Sequence, residues 1–354
     1  MRDASPRLLF VPVSGPFGMG EYARCSAIAR AVLERWPAAS VHFMLSREAP
    51  YASSAPFPAT LLPSSATFHT AAVVERIESW RPQVVIFDNA GRSAQLEAAQ
   101  RSGARVVYIS ARGRQRYKAF RLRWMRLIDE HWIAYPQFIA GGLGIIERLK
   151  QRLLHRPTVR YLDVILSRAG SRAAGADADK PSDARGEQVL VVPGGGTGHP
   201  GAERACAEFL RAARGIAAAG FPVRYVGPAV DRSIAAGRLE ISGSLAQYDL
   251  AELMRRARLV VVNGGSTLLQ ALACGAACVA VPIAGDQRQR IRRCAAGGVA
   301  VEAGLASSEI EARALALLRD EPSRAALERR ARGLALADGI ELALNALRPY
   351  IESA

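Results

Sequence analysis

The chain has 354 residues, half of them hydrophobic, with 31 Gly and 19 Pro and a formal net charge of +15 at pH 7. That length suits two domains of ordinary size, and the composition excludes extended disorder outside short linkers. The longest weakly polar stretch, residues 268–285, is broken by Gln270, two glycines and Pro282, which favours a core helix followed by a strand over a membrane span.

Residues 7–13 read as a buried strand, the Gly-rich turn SGPFGMG follows, and residues 22–33 have helical apolar spacing. Further strands are expected at 41–45, 84–87 and 106–109, all rich in β-branched or aromatic residues, with helices at 71–79 and 93–101 between them. Such alternation implies a parallel sheet covered on both faces. The segment 168–188, rich in Ala, Gly, Asp and Ser, has the composition of a linker, after which VLVVPGGGTGHPG repeats the strand, turn and helix pattern of the N-terminus. Strands at 223–226, 259–262 and 278–281 follow, then Ala/Leu-rich helices over 309–332 and a last helix near 341–351. The expected architecture is α/β: two tandem Rossmann-like doubly wound domains facing a cleft. The expected boundaries are 1–166, a linker at 167–187, a second domain at 188–335, and a C-terminal helix in 336–354 returning to the first domain.

The five cysteines are odd in number and sit in apolar segments without histidines at ligand spacing, so reduced core thiols are expected and no metal site is assigned. The N-terminus lacks the apolar run and small-residue cleavage site of a secretory signal, which points to the cytoplasm.

In an open α/β sheet a ligand binds beyond the carboxyl ends of the strands, where a helix start offers unpaired N–H groups and the positive end of its dipole to phosphate. Three turns have that form: one at 15–21 with Gly18, Gly20 and Glu21; one with Gly194, Gly195, Gly196, Thr197 and His199; and one with Asn263, Gly264, Gly265, Ser266 and Thr267. A glycine in such a corner also serves backbone geometry alone. In the third turn, Ser266 and Thr267 can cap the following helix and donate hydroxyls to a diphosphate. Gln270, one turn on, can reach a ribose hydroxyl, and Asp286 and Gln287 follow the next strand at the same edge.

The run NGGSTLLQALACGAACVAVPIAGDQ resembles the donor-binding half of GT-B glycosyltransferases, especially those of family 28. The resemblance implies that Ser266 and Thr267 contact the diphosphate, Gln270 the ribose, and Asp286 and Gln287 the donor sugar. Gln270 stands where the family has Glu, and Arg290 where an Asn often follows the D-Q pair. Near the N-terminus, GMGEYARCSAIA resembles the G-x-G-H-x-x-R-C-x-A-x-A pattern of the sugar-nucleotide hydrolases of pseudaminic acid synthesis, with Glu21 in the place of His. Glu21 is then a candidate base, or an acid favouring the first turn of its helix. Arg24 is placed to orient Glu21 or an anionic ligand, unless it is a surface arginine, and Asp88 is a reserve base. His199 is expected to contact donor phosphate or cap its turn.

Charge is local: residues 101–172 hold 16 basic against 4 acidic residues. Within them, ARGRQRYKAFRLRWMR places seven cations among Tyr117, Phe120 and Trp124, which suits an anionic membrane or a phosphorylated acceptor docked on 112–126, or else a solvated helix face. No nucleic-acid-binding motif accompanies the charge, which disfavours nucleic acid as the partner. The expected activity is metal-independent, cofactor-free transfer of a sugar from a nucleotide-diphosphate sugar, with a UDP-sugar as first candidate, to a lipid-linked or cell-envelope acceptor. The protein is then cytoplasmic or peripheral on the inner face of the membrane. Alternatives on the same fold are a sugar-nucleotide hydrolase or epimerase, and a non-catalytic nucleotide-sugar-binding protein.

Overall fold

A computed structural model describes residues 5–16, 19–165, 186–194, 201–228 and 234–352, with the Gln247 side chain left aside. The chain divides into two compact units, Met1–Ile165 with Ala337–Ala354, and Leu166–Leu336.

In chain order the first unit contains β1 (Arg7–Pro12), α1 (Gly20–Arg35), β2 (Ser40–Ser46), β3 (Ala59–Leu62), α2 (Thr70–Trp80), β4 (Val84–Asp88), α3 (Ser93–Arg101) and β5 (Arg105–Ser110). It continues with α4 (Gly113–Ala119), α5 (Leu122–Leu127), β6 (Glu130–Ile133), α6 (Gln137–Ala140), α7 (Ile145–Leu154) and β7 (Thr158–Tyr161). Its strands form one parallel sheet in the order β3-β2-β1-β4-β5-β6-β7.

The sheet is apolar on both sides because alternate residues of each strand feed different cores. Leu8, Phe10, Val84, Ile86 and Val107 pack with Cys25 and Ile28 of α1. Their neighbours Leu9, Val11, Val85, Phe87 and Val106 face Val73 and Ile77 of α2 and Leu96 of α3.

The second unit holds β8 (Val189–Val192), α8 (Ala202–Ala218), β9 (Val223–Val226), β10 (Ile234–Ala236), β11 (Leu239–Ser242), α9 (Gln247–Arg256) and β12 (Leu259–Asn263). After these come α10 (Ser266–Ala273), β13 (Cys278–Val281), α11 (Gly285–Ala296), β14 (Val301–Glu302), α12 (Ser307–Arg319) and α13 (Glu321–Gly333). The strand order is β10-β11-β9-β8-β12-β13-β14, parallel except for the β10–β11 pair. Val189, Val191, Val261 and Val279 pack under Phe209 and Ile216 of α8 and Ile310 and Leu317 of α12.

The last helix, α14 (Gly339–Glu352), belongs to the first unit. Its Ile340, Leu344 and Leu347 enter the same core as α1, each burial contributing about 1.5–3 kcal/mol, and Glu341 meets Arg35 at 2.9 Å. In both sheets the first strand lies between neighbours reached by connections in opposite directions, β2 and β4 around β1, β9 and β12 around β8. These are the topological switch points, where doubly wound sheets bind ligands.

Candidate functional site

At the switch point of the second unit, β12 ends on Asn263, whose side chain is buried. Its Nδ2 donates to the Pro193 carbonyl just beyond β8 at 2.7 Å, and its Oδ1 accepts from the Gly265 N–H at 2.8 Å. One amide thus fixes the exits of both strands and the entry of α10. Asn263, expected to contact the ligand, has one bond at each polar end holding the turn. Gly194 stands beside it with φ +92°, a backbone that favours glycine.

Gly264 is glycine for space, since a Cβ there would come within 2.6 Å of Ile291 and 2.9 Å of the Gln287 Cβ. Gly265, extended at φ −85° and ψ −154°, is the N-cap of α10, and among the described residues no side chain caps that helix. The capping expected of Ser266 and Thr267 is therefore replaced: Ser266 is the first helical residue and exposed, while Thr267 is buried. What α10 offers is its own first-turn N–H groups and the positive end of its dipole. Gln270 is buried one turn further in.

Asp286 and Gln287 separate in role. The Gln287 Oε1 accepts from Gly264 N–H at 3.2 Å and Ile283 N–H at 3.0 Å, so this oxygen ties two turns together. Asp286 has 60 % of its side chain exposed and pairs at 3.3 Å with Arg290, which also donates to the Gly264 carbonyl. Arg290, occupying the position of the expected Asn, braces the turn from beneath.

In the first unit, Glu21 and Arg24 lie one turn apart on α1, and Asp88 and Asn89 at the end of β4. Asp88 is fully buried, and Arg24 grips both its oxygens, Nε to Oδ2 at 2.7 Å and Nη2 to Oδ1 at 2.8 Å. Burial pushes the Asp88 carboxyl up to about 6 despite the pull of Arg24. Burial also opposes the Arg24 charge, but Asp88 more than offsets it. Asp88, expected as a reserve base, is thus sealed from solvent with both oxygens held by Arg24. Arg24 orients Asp88 and not Glu21.

Glu21 accepts instead from Asn89 Nδ2 at 2.8 Å and lies 3.7 Å from Arg112. Asn89, at φ +52°, accepts from the Ala111 N–H at 2.9 Å and so links Glu21 to the end of β5. Gly20 opens α1 with free space where a Cβ would be. Gly18, Gly195, Gly196, Thr197 and His199 lie outside the described residues.

The basic run 112–126 forms α4 and α5 and is only partly a surface. Phe120 and Trp124 are buried, and Arg116 turns inward to the carbonyls of Ala140, Gly141 and Gly142 and to Glu147 at 2.7–3.0 Å. A guanidinium can satisfy several acceptors of an irregular loop at once, which the sequence pattern does not show. Sequence reasoning also missed Arg92, Ser65 and Thr67, which line a cavity with Asn89 and Lys118. No spacing signal connects them. Among the described residues no helix is long and apolar enough to cross a membrane.

No protein-family model matches the chain, and no curated protein matches it in sequence. Solved structures do match in fold. The calicheamicin glycosyltransferase CalG4 superposes with a TM-score of 0.64 at 15 % identity, over 99 % of each chain. The spinosyn forosaminyltransferase SpnP gives 0.65 at 14 % identity, over 98 % of this chain and 100 % of its own. The spinosyn rhamnosyltransferase SpnG complexed with thymidine diphosphate gives 0.62 at 15 %, over 96 % and 99 %. The chain has a GT-B glycosyltransferase-like fold.

Proposed function

We propose that the protein is a glycosyltransferase that takes its sugar from a nucleoside diphosphate donor held at the β8/β12 switch point. The observation that carries this reading is the turn from Asn263 to Ser266: a strand exit clamped by its own amide, two glycines, and a helix start with no side-chain cap. Such a site presents backbone N–H groups to a diphosphate at little reorganisation cost, and the same donors stabilise the negative charge of the leaving nucleotide. The resemblance in that run and the fold shared with sugar-transferring enzymes support it. UDP is the first nucleotide to test and thymidine diphosphate the second, the latter because SpnG is complexed with it.

In this reading Glu21 takes the proton of the attacking acceptor hydroxyl, Asn89 orienting its carboxylate, and displacement occurs at the anomeric carbon. Asp286 is the exposed polar group of the D-Q pair that remains for the donor sugar. The expected cytoplasmic location is kept as part of this reading.

The test is a panel of UDP- and dTDP-sugars with nucleotide release as readout, run with and without a mixed acceptor extract. Release that depends on the extract supports transfer. Equal release without it supports a hydrolase, and no release or binding of any nucleotide sugar overturns the proposal.

A further inference from the structure

The first unit contains a cavity of about 740 Å³ at the carboxyl ends of β1 and β4. Arg92, Arg114, Lys118 and Arg121 line it, and among the described residues none of the four has a carboxylate within ion-pair distance. Lys118 spends one donor on the Gly91 carbonyl at 2.9 Å and sits 3.9 Å from the centre of the Trp124 ring. Burial and then the guanidinium groups of Arg92, Arg121 and Arg114 push its ammonium down to about 8. Four cations have been gathered without a counter-charge, an arrangement that costs stability until an anion enters.

Two aromatic rings stand at the same cavity. Phe68 is 70 % exposed and Tyr117 68 %, although large apolar groups normally gain by burial. Arg92 lies over Phe68 at 5.8 Å and Arg121 over Tyr117 at 5.7 Å. The cations are thereby held over ring faces, which favours a fixed position over free solvation. A third observation concerns the lining itself. Among the described residues, the Ser65 and Thr67 hydroxyls and the Gln115 side-chain oxygen are buried atoms without a hydrogen-bond partner. Buried polar atoms are ordinarily paired, so three unpaired ones mark this wall as more polar than a packed core.

We propose that this cavity binds a phosphate ester that also carries a ring or other flat group. A phosphate ester brings up to about two negative charges and three acceptor oxygens, which matches the cluster of four cations better than a single carboxylate does. The flat group lies on Phe68 and Tyr117. Asn89 lines the cavity and donates to Glu21, so a hydroxyl of the same ligand comes close to the proposed base. The ligand is therefore the acceptor; that last step, and only that step, rests on the glycosyltransferase reading.

The test titrates phenyl phosphate into the full chain by calorimetry in phosphate-free buffer, with and without saturating UDP, alongside sedimentation with phosphatidylglycerol and phosphatidylcholine vesicles. Arg114 and Arg121 are exposed, so Arg114→Gln with Arg121→Gln leaves the fold intact, which thermal melting checks. Binding of phenyl phosphate that UDP does not displace and that the double variant weakens tenfold or more supports a soluble phosphorylated ligand. Binding only to phosphatidylglycerol vesicles, lost in the same variant, supports a lipid-borne phosphate. Phe68→Ala, which removes no charge, is expected to weaken either by threefold or more. The proposal is overturned if neither probe binds, if UDP displaces phenyl phosphate, or if the double variant binds within twofold of the parent. UDP affinity is read separately in every arm, so loss of the donor assignment is told apart from loss of this one.

Discussion

The Asn263 amide donates to the Pro193 carbonyl at 2.7 Å and so joins the ends of β12 and β8 at the switch point of the second sheet. The same side chain receives the Gly265 N–H, which sets Gly265 extended and starts α10 at Ser266. The geometry of the proposed diphosphate site thus depends on a residue that need not touch the ligand.

Asn263→Ala removes both bonds and leaves the Pro193 carbonyl and Gly265 N–H to find other partners. We expect a loss of about 1–3 kcal/mol in stability and at least tenfold in nucleotide affinity. Chemical denaturation and calorimetry check the two values. Wild-type nucleotide affinity in this variant would show that the turn does not need its clamp.

Glu21→Gln keeps an oxygen for Asn89 Nδ2 but cannot accept the acceptor's proton. Turnover is expected to fall by about 10²–10⁴-fold with nucleotide affinity unchanged. A rate within tenfold of the parent removes Glu21 as base.

Arg24 and Asp88 form a buried pair in which each neutralises the other. Arg24→Leu should cost about 3–5 kcal/mol, because it strands a buried carboxylate, and Arg24→Leu with Asp88→Leu should cost less than the single change. Additive losses in denaturation experiments contradict this account of the pair.

His131 on β6 is buried, with Nε2 2.8 Å from the Ser110 hydroxyl and, among the described residues, no partner for Nδ1. Burial, followed by the charge of Arg116, lowers it to about 3 from an ordinary 6.5. The unfolded chain therefore takes up a proton first as pH falls, and stability present above pH 6.5 is lost progressively toward pH 3. By pH 4 the loss from this residue is up to about 3 kcal/mol. Asp88, raised to about 6, works in the opposite sense, because its folded form gains a proton first. The His131 share is isolated by His131→Phe, which costs the Ser110 bond but should flatten the acid limb of the stability profile. An unchanged limb would mean that His131 is protonated in the folded state.

Long apolar runs made β4, β5, β8, β12 and β13 legible, since strands buried on both faces need no polar alternation. The short β6 and β7 were not, because Glu130, His131 and Arg160 break the apolar pattern, and β3 is only four residues long, so that pairing with neighbours decides their state. At the candidate site the turns were visible as glycine and hydroxyl residues, but the partners were not. Gln287 binds Gly264, and Asn89 joins Glu21 to Ala111, across separations that only the folded sheet closes. Arg116 shows the converse, a cation in a basic run that is spent on backbone carbonyls.

Amide hydrogen exchange with and without saturating UDP, and then thymidine diphosphate, tests the central assignment most directly, because the proposed donors are backbone N–H groups. The account predicts slowed exchange in peptides spanning 262–272, at the end of β12 and the first turn of α10. Calorimetric binding of either nucleotide with no change in those peptides, or with slowing confined to the first unit, would contradict it.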